Sequence, residues 1–176
     1  QIWTYYHINE AANILSNKLV SDGLMHGDRV VLFMENRPEY VITLLALNKI
    51  GVIGVLINTS LTGAPLIHCI NSSDSKKCFV GAELMNSLEE VLDDINVKDS
   101  SNLYWVKDGD TYECPQWASN LDELLDKTKT ETPHAIKDVT AKDTAFYIFT
   151  SGTTGVPKAA LFPNTKIVAA STNITR

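Results

Sequence analysis

"YVITLLALNKIGVIGVLI", residues 40–57, is eighteen residues long and mostly apolar. That is nearly enough to cross a bilayer as one helix. Asn48 and Lys49 stand at its centre, however, and Gly51 and Gly54 follow. A lysine at mid-bilayer is costly. The stretch therefore divides into a helix running to Lys49, a stop at Gly51, and a buried β-branched strand over 52–57. A helix followed by a continuous apolar strand is half of a βα repeat.

The flanking sequence continues the alternation. Before it, Ile8, Ala11, Ala12, Leu15 and Leu19 recur at helical spacing, with a stop at Gly23. "RVVLFM", 29–34, reads as a buried strand. Asn36-x-x-Glu39 around Pro38 reads as a capping box that opens the next helix. After it, Thr62 opens a short helix carrying Leu66, Ile67 and Ile70. Further strands are expected at 77–80, 103–106 and 145–149, and a helix at 84–95. Residues 107–143 are polar, with one amphipathic piece near Leu121–Leu125. The expected fold is α/β, a largely parallel sheet flanked by helices on both faces.

Hydrophobic residues make up 44% and charged residues 20%, the balance of an ordinary globular domain. Net charge is −6, which speaks against a nucleic-acid partner. The charge is unevenly spread. Residues 144–176 contain no Asp or Glu and carry +3 from Lys158, Lys166 and Arg176, leaving −9 for residues 1–143. The three cysteines, Cys69, Cys78 and Cys114, have no CxxC spacing, so a reduced intracellular compartment is expected and no zinc site. The sequence starts at Gln1 and stops inside the helical pattern "KIVAASTNITR", which reads as part of a longer protein.

The acid-free segment contains "FYIFTSGTTGVPKAA", residues 146–160. Between two apolar strands lie four hydroxyls, two glycines and then Lys158. Glycines let backbone N–H groups converge on phosphate, rotating hydroxyls donate to its oxygens, and an ammonium adds charge. The spacing is neither Walker A nor GxGxxG, because Val156-Pro157 separate Gly155 from Lys158 and a strand follows.

This stretch resembles the signature loop of the adenylate-forming superfamily of acyl-CoA synthetases, luciferases and adenylation domains. "PKAA", with Ala159 where the superfamily commonly has Gly, is most similar to the fatty acid transport protein and very long-chain acyl-CoA synthetase branch. "GDRVVLFMENRPEYVITLLALNKIGVIGVLINTSL" and "LIHCINSSDSKKCFVGAEL" extend the resemblance over essentially the whole chain. It implies that residues 1–176 are part of the large N-terminal AMP-binding domain, the rest of which, with the C-terminal domain, lies beyond. It implies a fatty acyl-CoA ligase that adenylates a fatty acid with ATP and Mg²⁺ and passes the acyl group to coenzyme A, active only as the full-length protein. Carried over, the nucleotide-binding residues are Tyr147, Thr150, Ser151, Gly152, Thr153, Thr154, Gly155, Val156, Pro157 and Lys158. Lys158 is the catalytic residue, and no metal ligand falls within the chain. Membrane association of the parent, at the endoplasmic reticulum, plasma membrane or peroxisome, is implied in the same way. Many relatives have a His a few residues after the lysine, where this chain has Pro163-Asn164.

Two other readings stay open. One is a lipid-transport or membrane-partner protein that keeps the fold and has lost catalysis; the intact loop and Lys158 speak for retained ATP use. The other is adenylation of an aryl acid or amino acid. His68-Cys69 reads as packing or surface, the acids of "LEEVLDDI" as a solvated face, and Trp117 has no assigned role.

Overall fold

The computed structural model describes residues 2–109, 111–150 and 157–174, with side chains as far as residue 169. Helix α1, Tyr5–Ser21, starts at Thr4, whose hydroxyl accepts the His7 N–H at 3.2 Å. It ends as a Schellman motif: Gly23, at φ +82°, donates to Val20, and Leu24 donates to Leu19. Helix α2, Pro38–Lys49, ends the same way, with Gly51 at φ +68° donating to Asn48 and Val52 to Leu47. Only a residue tolerant of the left-handed region closes such a cap cheaply. At Gly51 a side chain would also meet the His26 ring, 2.2 Å from where its Cβ would stand. Residues 40–57 are therefore a helix, a glycine stop and a strand, as the sequence predicts. Among the described residues no helix is long and apolar enough to cross a membrane.

Seven strands form one sheet among the described residues: β1 Arg29–Phe33, β2 Ile53–Leu56, β3 Lys77–Gly81, β4 Leu103–Val106, β5 Ser119–Asn120, β6 Thr144–Thr150 and β7 Lys158–Pro163. Their order is β5-β4-β3-β1-β2-β6-β7, parallel throughout except for the antiparallel β6–β7 pair. Alternate strand residues face opposite layers. Val30, Leu32, Phe79 and Tyr104 pack with α1 and α2; Val31, Phe33, Val55, Cys78 and Val80 pack with α3, Gly63–Ser73.

The start of the second helix is not a capping box. Arg37 is the N-cap residue, with no side-chain cap, and Pro38 takes the first helical position. The Arg37 guanidinium reaches instead across the sheet edge to the carbonyls of Val106 and Lys107. The Glu35 N–H, just before Asn36, is held by the Glu83 carboxylate at 2.7 Å. The helix expected over 84–95 is also shorter. Helix α4 is Met85–Glu89, followed by a 3₁₀ turn at Leu92–Asp94. Glu89, Glu90, Asp93 and Asp94 would crowd the negative end of a longer helix. Asn71 captures the exit, donating to the Asp94 carbonyl and accepting the Asn96 N–H.

The polar stretch 107–143 contributes β5 and helix α5, Leu121–Leu124, and then runs back over α1, where Asn13 and Asn17 donate to the carbonyls of Thr130, Lys129 and Glu131. Trp117 packs on the α3-side core and donates to Glu89 at 3.0 Å. At the start of β6, Asp143 accepts from the Thr140 N–H at 2.6 Å and pairs with His26 Nε2 at 3.0 Å. These contacts, the backbone bond first, hold its carboxyl below the usual aspartate range. A group depressed on folding stabilises the fold above its unfolded pKa of about 3.9, and that contribution fades as pH falls through the folded value. The gap in urea midpoint between the native protein and Asp143→Asn is therefore expected to be constant near neutrality and to shrink in acid. A gap independent of pH would show that the carboxylate charge contributes nothing.

Candidate functional site: the β6–β7 hairpin and the α3 helix

The connection after β2 crosses β1 to reach β3, whereas the chain after β6 turns the other way into β7. The carboxyl ends of β2 and β6, which are parallel neighbours, therefore form a topological switch point, the usual ligand crevice of an open α/β sheet. Leu56 pairs with Ile148, so Asn58, Thr59 and Ser60 follow β2 at the level where Thr150 ends β6. Of the residues carried over from the sequence, Tyr147, Thr150, Pro157 and Lys158 are described. Thr150 and Lys158 are ladder neighbours at the neck of the hairpin, and Thr150 Oγ1 donates to the Lys158 carbonyl at 3.4 Å. Tyr147 is half-buried and packs with Phe149 on the α3-side core. Ser151, Gly152, Thr153, Thr154, Gly155 and Val156 lie outside the described residues.

Lys158 is exposed, and none of the ion pairs among the described residues involves it. The N-terminal end of α3 opens at the same sheet edge and adds the positive end of its dipole. An ammonium with no carboxylate partner among the described residues, opposite a hydroxyl, suits a polyanion. Among the described residues no group of three or more His, Cys, Asp or Glu side chains stands ready for a metal ion.

His68, set aside in the sequence reading, belongs to this site. It lies on α3, half-buried, and its Nε2 is 3.1 Å from the Pro157 carbonyl, immediately before Lys158. Spacing alone could not reveal a contact spanning 89 residues. The signal was topological: a right-handed crossover from β2 back to β3 puts α3 on the face opposite α2, beneath the end of β6. Asn164 serves as a tether, donating through Nδ2 to the Thr140 carbonyl and through its N–H to Asp143 O.

Two of the three cysteines, Cys69 and Cys78, are buried. Burial pushes the Cys69 thiol up to about 11 and Cys78 to about 12, and it also raises Cys114. The thiolate is the reactive form, and access is the other requirement. Alkylation of the native protein is expected at Cys114 alone of the three, with Cys69 and Cys78 reacting only on unfolding; fast labelling of Cys69 would mean that α3 opens readily.

A family model described as AMP-binding enzyme matches residues 1–176. The chain belongs to this AMP-binding enzyme family. It is 31% identical to mouse long-chain fatty acid transport protein 6 over 176 residues, 98% of this chain and 28% of that protein. It is 34% identical to rat long-chain fatty acid transport protein 1 over 163 residues, 90% of this chain and 24% of that protein. A solved Mycobacterium tuberculosis fatty acyl CoA synthetase shares the fold with a TM-score of 0.76 at 24% identity, over 98% of this chain and 32% of that one. The chain thus spans about a quarter of the length of these curated relatives.

Proposed function

We propose that this chain is part of the large N-terminal domain of a fatty acyl-CoA ligase and holds the triphosphate end of its ATP site. The observation that carries the reading is the hairpin neck. Lys158, without an ion-pair partner among the described residues, stands opposite Thr150 at a switch point, and three hydroxyls and two glycines lie among the intervening residues. In this reading Thr150 to Pro157 wrap the β- and γ-phosphates, Lys158 neutralises them, and Tyr147 braces the strand beneath.

The chemistry explains the need. A fatty carboxylate is a poor acyl donor because its leaving group would be oxide. Its attack on the α-phosphate of ATP releases pyrophosphate and converts that leaving group into AMP; coenzyme A thiolate then displaces AMP. Charge builds on the departing pyrophosphate, so preorganised donors and a cation accelerate the step. Magnesium, with ligands beyond this chain, would share that charge. The fatty acid transport relatives support a fatty acid as substrate, and a membrane-associated parent is part of the same proposal.

Pyrophosphate exchange by the full-length protein tests the reading with long- and very long-chain fatty acids, an aryl acid and an amino acid. Exchange that depends on the fatty acids is expected. Exchange driven only by an aryl or amino acid would move the substrate class, and none with any acid, alongside retained lipid transport, would favour the lost-catalysis reading.

A further inference from the structure

We propose that His68 is a positioning residue for Lys158, a role that rests on the phosphate-holding reading above. A carbonyl only accepts, so the 3.1 Å contact requires a proton on His68 Nε2, donated to Pro157 O. The ring fixes the peptide on the N-terminal side of Lys158. On its C-terminal side, the Lys158 carbonyl accepts from Thr150 Oγ1 and the residue is held in the β6–β7 ladder. Lys158 is thus anchored on both sides while its side chain stays exposed.

The anchor is rigid at its other end. Leu66, Cys69 and Ile70, the neighbours of His68 on α3, are at most 1% exposed and lock that helix on the sheet. Pro157 has no N–H to contribute, so its carbonyl is the one backbone hydrogen-bonding group available just before the lysine. A half-buried imidazole from a packed helix supplies the donor. An ammonium poised for developing charge gains from such fixing, because a small misplacement weakens the contact when the charge appears.

The test uses the full-length protein and three substitutions. Gln places an amide N–H near the position of Nε2, Asn falls about a bond short, and Ala removes the donor. His68→Ala is expected to weaken pyrophosphate exchange about 3- to 10-fold, mostly as a lower rate at saturating ATP, the scale of one lost hydrogen bond. His68→Asn should behave like Ala, while His68→Gln should recover most of the loss. Coenzyme A acylation from supplied acyl-adenylate should be nearly unaffected. In a Lys158→Ala background, His68→Ala should add little, because the two act through one contact. Equal effects of Gln and Asn, equal losses in both half-reactions, or full additivity with Lys158→Ala would overturn the proposal. The Gln-to-Asn comparison stands even if His68→Ala does not fold.

Amide exchange without nucleotide separates this inference from the phosphate reading. Exchange at Lys158–Ala160 should be faster in His68→Ala and His68→Asn than in the native protein, and unchanged in His68→Gln. Unchanged exchange in Ala and Asn would overturn the positioning role alone. A Lys158→Ala variant with undiminished pyrophosphate exchange would overturn the phosphate reading alone.

Discussion

Replacing Lys158 by alanine in the full-length protein is expected to slow adenylate formation about 30- to 1,000-fold, the 2–4 kcal/mol scale of losing one preorganised electrostatic contact in the transition state. The loss should concentrate in the first half-reaction. Lys158 has no ion-pair partner among the described residues, so its charge is not spent on holding the fold. Its side chain is exposed at the hairpin neck, so truncation opens no core cavity. No triphosphate is present when coenzyme A meets a supplied acyl-adenylate, and that step should change little. Equal losses in both steps would make Lys158 a structural residue of the hairpin.

The second large effect is on stability. Arg37→Ala should cost about 2–4 kcal/mol, slightly under the 3–5 kcal/mol for breaking a fully buried charge network. The guanidinium is 12% exposed and donates to the Val106 and Lys107 carbonyls at 2.9 and 3.0 Å. It also lies 3.2 Å from Asp108 and 3.5 Å from Glu83, which is itself 16% exposed. Without it, two carbonyls lose their donor and a nearly buried carboxylate loses its counter-charge. Arg37→Lys should recover only part, because an ammonium cannot reproduce the planar fork across two successive carbonyls. A shift in the urea midpoint worth under about 0.5 kcal/mol would mean that water replaces the arginine at little cost, as at exposed pairs.

Arg37 also marks where sequence reasoning stopped. The Asn-x-x-Glu spacing has the local form of a capping box, but the deciding interaction comes from β4, some seventy residues away. The same limit hid His68. By contrast, residues 40–57 were legible because the deciding features were local: a central lysine, a glycine at the Schellman position and a β-branched run. Strands β1 to β4 and β6 were readable as continuous apolar runs, and in β1, β3 and β4 burial on both faces removes alternation. Strand β5 is Ser119–Asn120, too short and polar to leave a pattern. The helix over 84–95 had its buried residues in register, as Leu88, Val91 and Ile95 are all in the core. Hydrophobic spacing therefore survived there although helical continuity did not. The phosphate-loop reading came from composition, and the structure adds the ladder pairing that sets Lys158 opposite Thr150.

The central claim is that Lys158 stands beside the phosphates of bound ATP. An ATP analogue carrying an acyl group on its terminal phosphate transfers that group to a nearby amine, and peptide mapping then locates the modified lysine. The account predicts acylation at Lys158, suppressed by excess ATP, with Lys166 unmodified. Labelling that avoids Lys158, or that ATP does not suppress, would contradict it.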